Sequence, residues 1–398
     1  MKKDLLSYFN IVLLSAAAFV ATGCSEKDEP EPPKEPGLRT VLVYQVANNN
    51  LGSSGYDRMD LAEMKEAALA GRIPENSHLL VYNAGYNRTP VLIELNKNGL
   101  DTLKEYSRDI YSVQSERMLE VLTDAQTLAG PTKEFGIVLW SHGSGWLQDG
   151  IADPADNITT KSFGSENGRT MNISTLANVL SKGPKLSFVY FDCCYMASVE
   201  TLYQLRHVAP VIAASATELL VYGMPYDKNV PCFFAETPDI EQAARNTFEL
   251  YDAQSGSDRT CTMSVTRTAG LDSLAKATAA IYERAPQPYP ADYTPQRFMN
   301  KGIVNCNYFD FGNYVEALCL DNAGEERFEG AKALLDDFHK ALEGCVTYAA
   351  ATPKLWNTVP LTYHCGLSTY ILMNDAYHRN QNYYTLGWYA DVASKLKF

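Results

Sequence analysis

Two short apolar segments, each followed by a reactive side chain, constrain the fold of this chain more than any other feature. Residues 135–140 lead into His142, and residues 186–191 lead into Asp192 and Cys194. Bulky segments without polar alternation are typical of strands that a parallel sheet buries on both faces. Because open α/β sheets bind ligands at the carboxyl ends of their strands, we expect a histidine and a cysteine side by side at one sheet edge.

The chain up to about residue 237 alternates between strand-like and helix-like patterns. Further strand patterns occur at residues 39–46, 78–82, 90–95 and 211–216, and helix patterns at 57–70, 115–128, 173–180 and 197–206. This alternation favours an α/β fold with a mostly parallel sheet that carries helices on both faces. We therefore predict one α/β domain over residues 39–237.

The sequence from residue 238 onward changes to a mixed, helix-rich pattern. Helix patterns occur at residues 240–253, 271–285, 311–320, 325–344 and 386–397, with one strand pattern at 366–373. We expect this C-terminal part, residues 238–398, to pack on the α/β domain.

The first 38 residues are not expected to belong to the fold. Two lysines and an apolar stretch at residues 11–20 precede Thr-Gly-Cys24, which is the pattern of a secretory signal over residues 1–23. The apolar stretch is too short for a stable membrane-spanning helix. Cys24 resembles the lipidated cysteine of bacterial lipoproteins, with a simple cleaved signal as the alternative. Residues 24–38 combine proline with charge and predict a disordered tether.

The acidic composition of this tether also predicts where the protein resides. An acidic stretch directly after a lipidated cysteine resembles the surface-export signal of Bacteroidetes lipoproteins. We therefore expect an outer-membrane lipoprotein that contacts the membrane through a lipid on Cys24 and is exposed at the cell surface. A periplasmic location is the alternative.

Charge and cysteine spacing argue against several classes of partner. With a formal net charge of −13 and no evident basic patch, the chain is not expected to bind nucleic acid. The nine cysteines show no C-x-x-C pairs of the kind that hold zinc, so no metal site of that type is predicted. We expect a monomer. In an oxidising compartment one disulfide could form among Cys232, Cys261, Cys306, Cys319, Cys345 and Cys365.

A histidine and a cysteine at neighbouring strand ends suit nucleophilic catalysis. Imidazole has a pKa near neutrality, so His142 could take the proton of a thiol and later give a proton to a leaving amine. The backbone N–H groups of Gly143 and Cys194 are natural donors to an oxyanion, because they lie where a strand turns into a loop. A single histidine is more often structural and a single cysteine more often part of a core, but the pair favours a thiol nucleophile.

The segments around both strand ends resemble the clostripain family of cysteine peptidases, which belongs to the caspase-like clan. The resemblance is carried by residues 139–146 and 192–200 and by the segments 202–206, 213–218 and 223–227. It spans residues 39–227 and is looser in the C-terminal part. It implies a caspase-like sheet and a cysteine endopeptidase for protein or peptide substrates, with His142 as the base and Cys194 as the nucleophile.

Cys193 occupies a position where the family usually has alanine. Because adjacent residues of a strand point to opposite faces, Cys193 and Cys194 cannot be presented equally to His142. We expect Cys193 to face the packed side as a small apolar residue, with the reverse assignment as the alternative.

The resemblance also implies a specificity pocket for Arg or Lys before the scissile bond. Asp192 matches the acid that lines this pocket in the family, and a carboxylate suits a guanidinium in charge and geometry. The alternative is that Asp192 caps the following helix. Residues 219–222 are apolar where relatives with basic specificity often carry a second acid, and Glu218 is the nearest remaining one. We therefore expect a weaker basic preference.

The polar segment between the two strands, residues 149–169, could have two further roles that relatives show. Members of the family often mature by cutting such a loop, and Lys161 and Arg169 are its basic residues. Some relatives need calcium, although the spacing of the acids here does not match an EF-hand and a solvated loop is the alternative. Calcium is thus a possible ligand, and no other cofactor is expected. The candidate calcium ligands are Asp149, Asp153, Asp156 and Asn157.

Two competing functions remain open at this level. One is a binding lipoprotein that retains the caspase-like fold without catalysis. The other is a thiol hydrolase that acts on non-peptide acyl groups or amides. The presence of His142, Gly143 and Cys194 together favours the peptidase.

Overall fold

The structure is a computed structural model and describes residues 37–147, 162–290, 292–298, 308–372 and 379–397. The predicted signal sequence and tether therefore lie outside the described residues. So do several individual predicted positions: Cys24, Asp149, Asp153, Asp156, Asn157, Lys161 and Cys306.

A nine-stranded sheet forms the centre of the fold, with the strand order β12-β10-β9-β8-β5-β1-β2-β3-β4. Its five central strands, from β9 to β2, are parallel, while β3, β4, β10 and β12 are antiparallel additions at the edges. The prediction of a mostly parallel α/β sheet is thereby confirmed. The strands are β1 Gly37–Ala47, β2 His78–Gly85, β3 Val91–Asn96, β4 Gly99–Glu105, β5 Thr132–Trp140, β6 Phe163–Glu166, β7 Arg169–Met171, β8 Leu186–Asp192, β9 Val211–Ala214, β10 Thr262–Arg267, β11 Phe309–Asp310, β12 Val346–Ala351, β13 Lys354–Leu355, β14 Val359–Pro360 and β15 Ser368–Thr369.

Helices cover both faces of this sheet. Successive residues of a strand point to opposite faces, and in the central strands the residues on both faces are apolar. On β1, Leu42 and Tyr44 join one buried core, while Val41 and Val43 join the other. The first core includes side chains of α3, α4, α5 and α8, and the second includes side chains of α2, α6 and α7. The helices are α1 Asn50–Ser53, α2 Tyr56–Leu69, α3 Ser115–Ala129, α4 Ile173–Leu180, α5 Val199–Gln204, α6 Tyr226–Phe233, α7 Ile240–Asp252, α8 Leu271–Arg284, α9 Phe311–Cys319, α10 Ala331–Cys345, α11 Arg379–Tyr383 and α12 Gly387–Asp391.

The C-terminal part contributes to the central sheet as well as to the helical layers. Strands β10 and β12 were not predicted, and they extend the sheet beyond β9. The described residues from Gly37 onward form one compact unit, within which the division near residue 238 stays a prediction.

Other predictions for the C-terminal part were wrong in extent. The helix predicted at 325–344 begins only at Ala331, and the strand predicted at 366–373 is reduced to Ser368–Thr369. The helix predicted at 386–397 ends at Asp391, because Val392 has φ −125° and ψ −66°, which is not helical. A single turn of 3₁₀ helix follows at Ala393–Lys395.

Five of the six cysteines considered for a disulfide are described by the structure and are free thiols, so they form no disulfide with one another. They are Cys232, Cys261, Cys319, Cys345 and Cys365. Within the described ranges, no helix combines the length and the apolar character that crossing a membrane requires.

Candidate active site

The two predicted strand ends meet in the middle of the sheet. Strands β5 and β8 are parallel neighbours, and their register pairs Trp140 with Asp192. The chain therefore leaves both strands at the same level, two residues before His142 and before Cys194. A pocket of about 400 Å³ opens there and is bordered by both side chains.

Gly143 allows the two strand ends to approach each other this closely. A Cβ atom at this position would lie 2.6 Å from the carbonyl oxygen of Cys194 and 2.9 Å from the Cβ of Cys193. Any side chain would thus force the histidine loop away from the cysteine loop. The glycine predicted to supply an oxyanion donor also sets the spacing of the site.

His142 is held by an asparagine that was not predicted from the sequence. The Nε2 atom of His142 lies 2.7 Å from the Oδ1 atom of Asn50, the first residue of α1. Asn49 fixes this segment, since its Oδ1 accepts from the backbone N–H of Leu51 at 2.9 Å and its Nδ2 donates to the backbone of Ser165 at 2.8 Å. The sequence feature that could have indicated this contact is the run of three asparagines directly after β1, because β1 ends at the same edge of the sheet.

Cys194 lies in the turn after β8 with its thiol directed towards a backbone carbonyl. Its Sγ is 3.4 Å from the carbonyl oxygen of Leu219. Burial raises the pKa of the Cys194 thiol to about 12, and the carboxylate of Glu218 adds to this increase. The sulfur is therefore protonated at neutral pH in this arrangement, and a nearby base has to remove the proton before the thiol can react.

Cys193 lies on the packed side, as expected. Its exposed fraction is 2%, and its Sγ is 3.1 Å from the carbonyl oxygen of Leu139. Burial raises the pKa of the Cys193 thiol well above its usual value, and the charge of Asp192 adds to this effect. Strand β8 ends at Asp192, so a turn rather than the strand pleat separates the two thiols.

Asp192 is buried at the bottom of the pocket and does not cap the following helix. Its Oδ2 accepts hydrogen bonds from the hydroxyl of Tyr226 at 3.1 Å and from the backbone N–H of Met224 at 3.4 Å. Helix α5 is capped instead by Ser198, whose hydroxyl accepts from the backbone N–H of Thr201 at 3.2 Å. Burial raises the pKa of Asp192 to about 7, and the nearby charge of Glu63 adds to the increase.

A second buried carboxyl, Asp60 on α2, lies close enough to Asp192 to interact with its charge. The indole Nε1 of Trp140 donates to its Oδ2 at 2.6 Å. Burial raises the pKa of Asp60 to about 9, and the charge of Asp192 raises it further. Asp60 is therefore neutral at pH 7, which leaves Asp192 as the carboxyl that can carry charge there. No sequence pattern indicated that a residue of α2 would reach this site.

Glu218 and the apolar residues after it form the wall of the pocket beyond Cys194. The Glu218 carboxylate is hydrogen-bonded by the side chains of Tyr195 and Trp356, which lower its pKa, although burial has the larger effect and raises it. Val221 and Tyr222 are exposed at the rim, by 41% and 46%.

An acid from a distant segment also borders the pocket. Asp258 lies on a 3₁₀ turn, Gly256–Asp258, and its Oδ2 is 3.4 Å from the hydroxyl of Tyr222. It is exposed, in contrast to Asp192. The segment 219–222 contains no acid, and the fold brings Asp258 to the pocket from a different element.

The family model for the clostripain family matches residues 43–386. This chain belongs to the clostripain family.

Solved structures of family members agree with this identification. The chain is 27% identical to an inactive zymogen C11 protease from Parabacteroides distasonis, with a TM-score of 0.75 over 90% of this chain and 99% of that one. It is 28% identical to a secreted C11 cysteine protease from Bacteroides thetaiotaomicron in complex with an irreversible peptide inhibitor, with a TM-score of 0.72 over 89% and 99%. A search of curated proteins found no match. This clostripain-family protein is therefore a cysteine peptidase with a caspase-like fold.

Of the two predicted self-cleavage residues in this peptidase, only Arg169 is described. It begins β7 and pairs with Glu166 in a short hairpin, and its guanidinium lies 4.6 Å from the centre of the Tyr111 ring. Its side chain is exposed, and self-cleavage after it stays a prediction. Among the described residues, no group of three or more His, Cys, Asp or Glu side chains is arranged to hold a metal ion.

Proposed function

We propose that this peptidase is an endopeptidase in which Cys194 is the nucleophile and His142 is the base. The observation that carries the proposal is the register of β5 and β8, which brings both side chains to one pocket. Cys193 is a poor alternative nucleophile because it is buried and bonded to the backbone of β5.

The chemistry follows from the contacts of each group. Asn50 engages the Nε2 atom of His142, so the other ring nitrogen takes the thiol proton and leaves a thiolate that attacks the scissile carbonyl. The backbone N–H groups of Gly143 and Cys194 stabilise the oxyanion. The imidazolium then gives its proton to the leaving amine, and water hydrolyses the acyl-enzyme. Because the pKa of Cys194 is about 12, proton removal by His142 is part of the reaction.

We propose that the pocket prefers Arg or Lys before the scissile bond. Asp192 is buried and receives hydrogen bonds only from neutral groups among the residues described, so a substrate cation would supply the charge that it lacks. Leu219 and Leu220 can hold the apolar stem of such a side chain. Glu218 is occupied by Tyr195 and Trp356, so we expect the preference to be incomplete.

Two separate single-residue variants test the assignment of the nucleophile. Cys194→Ala should lose activity on an Arg-containing fluorogenic peptide by about 10³-fold or more in kcat/KM. Cys193→Ala should retain most of it, because alanine fills the same buried site. Activity that survives in the Cys194 variant and disappears in the Cys193 variant would reverse the assignment. Equal turnover of Ala, Asp and Arg peptides by the wild type would contradict the proposed specificity.

The remaining proposals concern maturation and location. We propose lipid attachment at Cys24, with surface exposure or a periplasmic location following from it, and self-cleavage after Lys161 or Arg169. Mass spectrometry of the mature amino terminus tests the lipid.

A single intact band after incubation of the active enzyme would argue against self-cleavage. Activity that a chelator leaves unaffected would argue against a need for calcium.

A further inference from the structure

A second cavity lies at the same edge of the sheet, over β1 and β2 instead of β8 and β9. It has a volume of about 200 Å³ and a lining that is almost entirely polar. The lining residues used below are Asn48, Gly85, Arg88, Arg108, Tyr111 and Glu166. None of them belongs to the motifs around His142 and Cys194.

The cavity is close to the catalytic pair. Strand register pairs Gln45 of β1 with Trp140 of β5, and Ala47 of β1 with Gly85 of β2, so the three strands end at a similar level. Adjacent strands are about 4.8 Å apart, which places the end of β2 about 10 Å from that of β5. Asn48, in the cavity wall, is only two residues from the Asn50 that bonds to His142.

The chemistry of the proposed reaction decides which half of a substrate lies over this cavity. His142 must reach the leaving amine to protonate it, so the part of the peptide after the scissile bond lies on the His142 side of Cys194. The strand order continues on that side from β5 to β1 and β2, while the Asp192 pocket lies towards β8 and β9. An extended peptide advances about 3.4 Å per residue and covers about 10 Å in about three residues.

The charges that border the cavity favour an anion. Arg108 is exposed and makes no salt bridge with any residue that the structure describes. Arg88 pairs with the buried Asp57 but leaves 43% of its own side chain exposed. Arg169 stacks on Tyr111 at the cavity wall. These guanidinium groups lie near one another although the chain as a whole has a net charge of −13.

The buried acid in the cavity lining, Glu166, offsets only part of this positive charge. Glu166 is 5% exposed, and its carboxylate accepts hydrogen bonds from the backbone N–H of Ser112 and from the Nδ2 of Asn48 at 3.2 Å. Its oxygens are therefore already used by the protein, whereas the guanidinium of Arg108 is presented to solvent.

We propose that this cavity is a subsite for an acidic side chain, Asp or Glu, two to four residues after the scissile bond. Arg108 supplies the main charge and Arg88 a second donor group, since a guanidinium can donate two parallel hydrogen bonds to a carboxylate. The proposal rests on the proposed function, because the direction of the peptide follows from the roles of His142 and Cys194.

Internally quenched peptides test this subsite in the full mature enzyme. Each peptide carries Arg before the scissile bond and Glu, Gln or Lys at the second, third or fourth position after it. The wild type should cleave the Glu peptide about fivefold better than the Gln peptide, in kcat/KM, at one or two of these positions. Arg108→Gln should remove most of this preference, and Arg108→Glu should reverse it in favour of Lys.

A matched control separates this effect from the overall charge. Lys133→Glu changes the charge of the protein by as much as Arg108→Glu does. Lys133 is exposed at the opposite end of β5, so this variant should leave the preference for the Glu peptide unchanged. Equal cleavage of all three peptides by the wild type, or an equal effect of the Lys133 variant, would overturn the subsite while leaving the catalytic pair intact. Failure to cleave any peptide would overturn the catalytic assignment and the subsite with it.

Discussion

The two pockets at the carboxyl edge of the sheet differ in charge and in burial. The pocket at β8 and β9 has a buried Asp192 with a raised pKa, and the cavity at β1 and β2 presents Arg108 to solvent. His142 and Cys194 border the first of these pockets. This difference suggests a substrate that is basic before the scissile bond and acidic after it, with the larger selectivity at the buried pocket, since charges removed from water interact more strongly.

Among the residues that distinguish the two pockets, the largest expected effect concerns the buried acid. Asp192→Asn should reduce kcat/KM for an Arg peptide by about a hundredfold, because a buried ion pair loses one partner, and should change the value for a Gln peptide far less. Asp60→Asn is the matched control. Burial raises the pKa of Asp60 to about 9, so it is already neutral and the amide should behave like the wild type. A loss of similar size in both variants would mean that the effect is structural.

The second prediction uses pH to separate the two pockets. The pKa of Asp192 is raised from its ordinary value to about 7, so the carboxyl is anionic above pH 7 and neutral below it. The ratio of kcat/KM for Arg and Gln peptides should therefore fall about tenfold for each pH unit below 7.

The same series should show a different result at the other pocket. Neither a guanidinium nor a glutamate carboxylate in water changes its charge between about pH 5.5 and 8. The preference for Glu after the scissile bond should therefore be constant over this range. If both preferences declined together, a common cause such as loss of the active conformation would replace the titration of Asp192 as the explanation.

The third prediction concerns the region between the two pockets. Asn50→Ala should lower kcat by up to about tenfold with little change in KM, because the alanine removes the hydrogen bond to Nε2 of His142. Asn50→Asp keeps an acceptor at this position and should restore most of the rate. Asn178→Ala, at an exposed position of α4, is the control. A shift of the pH–rate profile in the alanine variant, absent from the control, distinguishes a positioning role from general destabilisation.

The smallest expected effect is at the rim of the acidic pocket. Asp258 is exposed, so its attraction for a substrate cation is screened by water. Asp258→Asn should reduce the preference for Arg over Gln peptides by about threefold, and high salt should abolish this difference. An effect as large as that of Asp192→Asn would contradict the assignment of Asp192 as the principal acid.

The features that could be predicted from the sequence are those that depend on residues adjacent to one another along the chain. The apolar segments before His142 and Cys194 identified both strands, and parallel strands bring their carboxyl ends together without further information. The burial of Cys193 was also expected, although the turn after Asp192, and not the alternation of strand residues, separates it from Cys194. The weak β-character of residues 346–351, with three alanines, explains why β12 was missed, since its pairing with β10 determines its conformation.

Other parts of the site come from segments that only the fold brings together. Asp60 lies on α2 and Asp258 lies on a turn after α7, and neither carries a local pattern that indicates proximity to Cys194. The same holds for Arg88 and Arg108, whose common cavity depends on the order of β1 and β2. A charge at a pocket is a tertiary property, and composition alone gave only the net charge of −13.

The most direct test of the central claim is to map the residue that reacts with a peptide acyloxymethyl ketone carrying Arg at its reactive end. The proposed catalytic pair predicts a label on Cys194 alone, as determined by mass spectrometry of the digested protein, and loss of that label in His142→Ala. A label on Cys193, or undiminished labelling of Cys194 in the His142 variant, would contradict this pair.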